Sequence, residues 1–324
     1  MIYNELVIQK NDKSRKFNGE NFIFNATDGT EIHGCRWIPK ETNINSVLII
    51  NHGMAEHICR YDDFACFLND KGIAVWGEDH RGHGLTAGAK ENLGFFADSD
   101  GWMKVVGDIR VLHNMVKEAH PAVPVIMLGH SMGSFLTRHY ISLYGQDLSR
   151  VIISGTGFTA NLITAVASLI ARSEILSFGK HHRSKVLDTM SFGAFNKPFS
   201  HDGDSGFEWL SRDKEQIKKY MDDPLCGFIC TSSHFKDLFS GLKYINNIKA
   251  FKNTAESIPI LLISGEKDPV GGNGKGVKKV FNLYKKTGNR DIELLLIPEA
   301  RHECLHEINR KEIFNTLSNW MEKK

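Results

Sequence analysis

Short apolar runs without polar alternation recur along the chain, separated by segments with helical spacing. Ser46–Ile50, Ile73–Gly77, Val125–Leu128 and Val151–Ser154 are each bounded by turn residues, and Ile258–Ser264 and Ile292–Ile297 repeat the pattern near the C-terminal end. A strand that is apolar at nearly every position has both faces buried. Between the runs, Tyr61–Asp70, Gly101–Ala119, Met132–Leu143 and Ile308–Glu322 read as helices. Phe64, Phe67 and Leu68 share one helix face, as do Val105, Ile109 and Leu112. Alternation of this kind predicts an α/β fold, a mostly parallel sheet with helices on both faces. Asn21–Asn25 and Glu31–Trp37, flanking Thr27-Asp28-Gly29-Thr30, predict a hairpin ahead of it.

The rhythm breaks in the middle. From Gly157 to Leu242 no strong strand run is present; the segment opens with a helical pattern (Leu162, Ile163, Val166, Leu169, Ile170) and becomes rich in His, Phe, Ser and Gly. The expected organisation is therefore one core built from 1–156 and 243–324, with a mostly helical insertion over 157–242. Val151 to Ala171 carries no charge and is long enough to span a bilayer, at roughly 20 residues. Ser154, Gly155, Thr156, Gly157 and Thr159 make a strand, a glycine turn and then a helix the better reading. No apolar segment follows the basic residues near the start, so no secretory signal is expected and the expected compartment is cytoplasmic. The six cysteines then read as free thiols. Forty basic against 38 acidic residues, a net charge of +2, offer no electrostatic case for a nucleic-acid partner.

Gly129-His130-Ser131-Met132-Gly133 matches G-x-S-x-G, directly after one apolar run and directly before a helical segment. That context is what the chemistry needs, because the two glycines let the chain turn sharply and leave the serine hydroxyl exposed at the sheet edge. The bland alternative is a serine capping the helix. A nucleophilic serine needs an oxyanion hole. One donor should be the backbone N–H of Met132; Asn51-His52-Gly53-Met54, following Ser46–Ile50, should supply the other through Met54. The acid and base should follow in the order Ser, Asp or Glu, His. Asp268 follows Ile258–Ser264, with Glu266 and Glu299 as alternative acids. Of the 15 histidines, His302 is the one that follows the last strand closely enough to be the base.

A rival pattern overlaps the base. His302-Glu303-Cys304-Leu305-His306 is a literal H-E-x-x-H. Zinc chemistry would require both histidines on one helix face and a third ligand, and Pro298 and the nearby strand argue against that helix. Cys226 and Cys230 have C-x₃-C spacing without a second pair, so no metal is expected there either, and no organic cofactor is called for. Asp79-His80-Arg81-Gly82-His83-Gly84 reads as a loop that braces the site, and Cys304 as a buried filler two residues past the base.

Taken together, Asn51-His52-Gly53-Met54-Ala55-Glu56-His57 with Arg60-Tyr61, Asp79–Gly84, Gly129–Ser134, Gly265–Val270 and Ala300–Glu303 resemble the α/β-hydrolases of the monoacylglycerol lipase and lysophospholipase group. The resemblance implies an eight-stranded sheet and a helical cap over Ser131. It implies a triad of Ser131, Asp268 and His302 that cleaves carboxylic esters of lipid-like substrates, and a cap with an apolar entrance that touches membranes, which would make the protein peripheral to them. Inside the insertion only Asp223-Pro224-Leu225 resembles the group. Leu162, Val166, Phe192 and Phe195 are the cap candidates for substrate binding, as an acyl tunnel or lid on one reading and as ordinary packing on the other. Two other functions fit the same scaffold. A peptidase of the proline iminopeptidase type would hold a substrate amino group with Asp202, Asp204, Glu208, Asp222 or Asp223; a non-catalytic binding protein would have no use for the triad. Oligomeric state is not legible.

Overall fold

The structure is a computed structural model describing residues 17–40 and 43–323. Its sheet has eight strands: β1 (Glu20–Asn25), β2 (Glu31–Trp37), β3 (Ser46–Asn51), β4 (Ile73–Glu78), β5 (Val125–His130), β6 (Arg150–Ser154), β7 (Ile260–Gly265) and β8 (Ile292–Ile297). They lie in the order β1-β2-β4-β3-β5-β6-β7-β8. The expected hairpin joins β1 to β2 antiparallel, with Gly29 at φ +82° in its turn. β2 pairs antiparallel with β4, and every later pairing is parallel. The chain departs from the sequence-read strand at Ile258: β7 starts at Ile260, after Pro259, which has no N–H for the ladder.

Both sheet faces are covered, as the unbroken apolar runs require. On one face Val47 and Ile49 of β3 pack with residues of α2 (Gly101–Ala119), α3 (Met132–Tyr144) and α9 (Lys275–Lys286), among them Val105, Leu136 and Val277. On the other, Leu48 and Ile50 pack with Phe64 and Leu68 of α1 (Asp62–Asn69) and with Ile313 and Leu317 of α10 (Arg310–Met321). This alternation is the period-2 geometry of a strand buried on both sides.

Between β6 and β7 run α4 (Asn161–Phe178), α5 (Lys185–Phe192), α6 (Lys214–Asp222), α7 (Ser232–Ile245) and α8 (Ile248–Asn253). The uncharged stretch 151–171 resolves into β6, a turn and the start of α4. Among the described residues no helix is long and apolar enough to cross a membrane. α7 buries Phe235, Leu242 and Ile245 in the same cluster as β3, and Tyr244 stacks on His139 of α3 at 3.9 Å. Loops that follow β3, β5, β7 and β8 all emerge at the C-terminal edge of the parallel strands. Between β3 and β5 the strand order reverses direction, the position where ligands bind in open α/β sheets.

Candidate active site

Ser131 sits between β5 and α3 at φ 52°, ψ −118°. That is a costly conformation for a residue with a side chain, and the surroundings impose it. A Cβ at Gly129 would collide with the Gly133 carbonyl oxygen, and one at Gly133 with the Asn51 carbonyl oxygen. Only glycine lets β5, β3 and the first turn of α3 approach so closely. Ser131 N–H donates to Ser154 O at 2.9 Å, and Ser131 O accepts from Ser134 N (2.9 Å) and from Ser134 Oγ (2.6 Å). The turn is held on both sides. Met132 opens α3, so its N–H is one of the donors a helix start leaves without an intrahelical partner.

Met54 lies in the loop after β3. That loop is tied down by Glu56, whose carboxylate accepts from Gly53 N–H and from Tyr61 OH. Arg60 pairs with Glu56 and makes a two-pronged contact with Glu303 at 2.7 Å and 2.7 Å. One buried guanidinium thus fastens the Met54 loop to the His302 loop. Behind them His52 accepts from His80 N–H at Nε2 (3.0 Å), which puts its proton on Nδ1 facing Gly53 O at 2.7 Å. The Asp79–Gly84 loop braces the site as expected: the Asp79 carboxylate accepts from Ile58 N–H and Leu85 N–H.

Asp268 and His302 meet. His302 Nδ1 is 3.0 Å from Asp268 Oδ1, with both side chains buried. Ser264 Oγ donates to Asp268 Oδ2 at 3.0 Å and Val270 N–H to Oδ1 at 2.9 Å. Burial would raise the Asp268 carboxyl, but the His302 ring and these donors overcome it and leave it below its usual range. Burial would likewise lower His302, and the Asp268 carboxylate overrides it, so the imidazole is lifted above its ordinary value. Neither Glu266 nor Glu299 makes this contact; Glu299 lies 3.6 Å from Lys267. His302 is flanked by the rings of His130 at 4.7 Å and Trp209 at 5.1 Å. Gly155, at φ +60°, leaves just enough room: a Cβ there would stand 3.0 Å from the His302 ring.

The H-E-x-x-H pattern is not a helix face. His302 is on a loop bonded to Asp268, Glu303 is engaged by Arg60, and His306 ends a single turn (Cys304–His306) with Nε2 at 3.1 Å from Arg60 O. Cys304 is buried and its thiol is pushed up by that burial, so it stays protonated.

Ser131, His302, Met54 and Met132 line one cavity of about 490 Å³. Its walls are largely apolar, with Phe192, Phe195, Phe207, Phe228 and Phe239 contributing together with Trp209, while Thr159, Asp188, Thr189 and Ser191 add polar lining. Of the four cap candidates, Phe192 and Phe195 line this cavity. Leu162 and Val166 do not. They stand 77% and 48% exposed on α4, and it is Ile163 and Ala167 of that helix that line the cavity. A helix turns about 100° per residue, so neighbouring positions face differently, and Ile163, though 61% exposed, reaches the cavity where Leu162 does not. The five acidic residues named for a peptidase also stand outside the cavity: Asp202 pairs with Arg301, Glu208 accepts from Ser205 N–H, and Asp223 pairs with His57.

The sequence reading passed over the clamp through Arg60 and the Trp209 wall. Glu56 and Arg60 have an ion-pair spacing of four, which was a usable signal. Glu303 and Trp209 reach the site only through the fold.

With this geometry in hand, known proteins are informative. The Hydrolase_4 family, described as serine aminopeptidase, S33, matches residues 42–309. The chain belongs to this family. A monoacylglycerol lipase of Mycolicibacterium smegmatis is 28% identical over 306 residues, covering 92% of this chain and 95% of that protein. A monoglyceride lipase of Rattus norvegicus is 27% identical over 289 residues, covering 85% and 84%. A crystal structure of a thermostable carboxyl esterase from Bacillus coagulans superposes with a TM-score of 0.83 at 25% identity, covering 94% and 98%. This Hydrolase_4 chain has the α/β-hydrolase fold and is a carboxylic ester hydrolase of the monoacylglycerol lipase and lysophospholipase-like group.

Proposed function

We propose that the chain cleaves carboxylic esters of monoacylglycerols or lysophospholipids through an acyl-enzyme on Ser131. One observation carries the reading: the strained Ser131 turn and His302, held by buried Asp268, line a single cavity whose other walls are mostly aromatic and aliphatic. Ser131 Oγ attacks the ester carbonyl carbon and its proton passes to His302 Nε2. The Met54 and Met132 N–H groups hold the oxyanion. His302 then protonates the leaving alkoxide, and Asp268 steadies the imidazolium through Nδ1. In the second half, water attacks the acyl-enzyme carbonyl, His302 takes its proton and returns it to Ser131 Oγ as the acyl–Oγ bond breaks, and the acid leaves.

The 157–242 insertion acts as the cap, with the acyl chain lying against Phe192, Phe195 and Ile163. Leu162 and Val166, beside the cavity on the outer surface of α4, make transient contact with a lipid surface. Labelling with a fluorophosphonate tests the core of this reading. The intact chain should be modified at Ser131, and Ser131→Ala should be unlabelled, folded and inactive on glycerol monoesters. Turnover retained in that variant would overturn the assignment. Aminoacyl amides run alongside the esters decide against a peptidase if they are not cleaved.

A further inference from the structure

Five residues after α6 form a turn, Asp223-Pro224-Leu225-Cys226-Gly227, with an unusual donor set. Cys226 N–H donates to Asp223 O at 3.0 Å and Leu225 N–H to Asp223 Oδ1 at 2.9 Å. Proline at the second position and Gly227 at φ +67° suit the turn. Its closure sets the Asp223 carboxylate and the Cys226 thiol side by side, both partly accessible.

This turn is docked on the loop that bears Met54. Gly227 N–H and Tyr220 OH both donate to Ala55 O, each at 3.0 Å. From that loop His57, only 4% exposed, brings Nε2 to 3.0 Å from Asp223 Oδ2. The ligand atoms of His57, Asp223 and Cys226 all lie within 4.8 Å of one another. Bonds of roughly 2.0–2.3 Å in a tetrahedral zinc site put donor atoms about 3.2–3.8 Å apart, so small side-chain movements suffice.

The geometry points to a divalent metal site of the zinc class on His57 Nε2, Asp223 Oδ2 and Cys226 Sγ, fastening the turn after α6 to the Met54 loop. One imidazole, one carboxylate and one thiolate suit a borderline-soft ion and balance its two charges. The fourth position is left for water. On binding, the Cys226 thiol and the His57 ring each release a proton to solvent: the sulfur bonds the metal as thiolate, and Nε2, whose hydrogen faces Asp223 Oδ2 in the metal-free chain, bonds it from a neutral ring. The C-x₃-C spacing of Cys226 and Cys230 hid this site, because the third ligand comes from a loop far upstream in the chain. The inference does not depend on Ser131 being a nucleophile.

Cobalt(II) reports the site directly. The full chain, stripped with a chelator and desalted, should bind one equivalent of cobalt with a thiolate-to-metal charge-transfer band that zinc displaces. Cys226→Ser should lose the band and Asp223→Asn should weaken binding at least ~10-fold. Cys66→Ser, on α1, should change nothing. A wild-type chain without the band, or a band that survives Cys226→Ser, would overturn the proposal. A second readout needs no variant: zinc should protect Cys226 from iodoacetamide in the wild-type chain while Cys66 reacts as before. Equal alkylation of Cys226 with and without zinc counts against the site.

Discussion

At Ser131 the backbone is forced into φ 52°, ψ −118° by two glycines that leave no room for a Cβ, and at His302 a single carboxylate outweighs the effect of burial. Both are local conditions with measurable consequences. In the proposed mechanism His302 is the base and must be neutral to accept a proton, so kcat/KM should rise with pH through the His302 pKa, which the Asp268 carboxylate holds above the ordinary 6.5. Asp268→Asn removes that carboxylate. The acidic limb of the profile should then move to lower pH and kcat should fall by on the order of 10⁴-fold. A profile measured on a soluble aryl ester checks both, and an unshifted limb would detach Asp268 from the base. The meeting of Asp268 and His302 could be expected from the sequence because each lies in the loop that follows an apolar strand run. Trp209 and Gly155, which press on the same imidazole, were not legible, since nothing local to either marks it as a neighbour of His302.

α4 shows what an element can and cannot be read for. Its apolar content was evident, but its facing was set by α7 and the cavity rather than by its own pattern. Ala167 and Ala171 are buried, while Leu162, Val166 and Leu169 form an exposed stripe. If that stripe meets lipid, Leu162→Ser combined with Val166→Ser should leave thermal stability within about 0.5 kcal/mol, as surface changes do. Turnover of a soluble short-chain ester should be unchanged, and turnover of monoacylglycerol presented in vesicles should drop several-fold. An equal loss on both substrates would place the effect in the cavity instead. The strands behave differently. The bounds of the central strands follow from the sequence to within a residue or two because burial on both faces demands an unbroken apolar run, and the late start of β7 has a stated cause in Pro259.

At the scale of the whole molecule the histidines dominate the response to acid. His52, His80, His83 and His234 are buried in a ring-contact cluster beneath the Met54 loop, with ring centroids 4.2 Å apart for His52 and His80 and 5.7 Å for His83 and His234. Burial lowers all four, His80 to about 3 and His83 to about 4, and it also lowers His113 and His139 to about 4. A histidine neutral in the folded chain and protonated in the unfolded one costs nothing above pH 6.5 and destabilises progressively below it, by about 1.4 kcal/mol per unit of separation. His57 and His302 are shifted the other way, and Glu78, Asp79, Asp108, Asp188 and Asp237, whose carboxyls burial raises, also oppose the loss as they regain protons, but the lowered histidines are more numerous. Urea unfolding midpoints should therefore fall steadily from pH 6.5 to pH 5, above the range where ordinary carboxylates protonate. A midpoint unchanged between pH 7 and pH 5 would show that the cluster is hydrated or already charged.

Sequence alone determined the architecture, the G-x-S-x-G turn and the loops that carry Asp268 and His302, because these depend on periodicity and on residues that immediately follow a strand. Only the tertiary structure decided which face of α4 lines the cavity, that Glu303 completes the clamp on Arg60, and that His57 meets Asp223 and Cys226. These are contacts between segments far apart in the chain. Their partners are chosen by how helices and loops pack over the sheet, and no local pattern of residues encodes that choice.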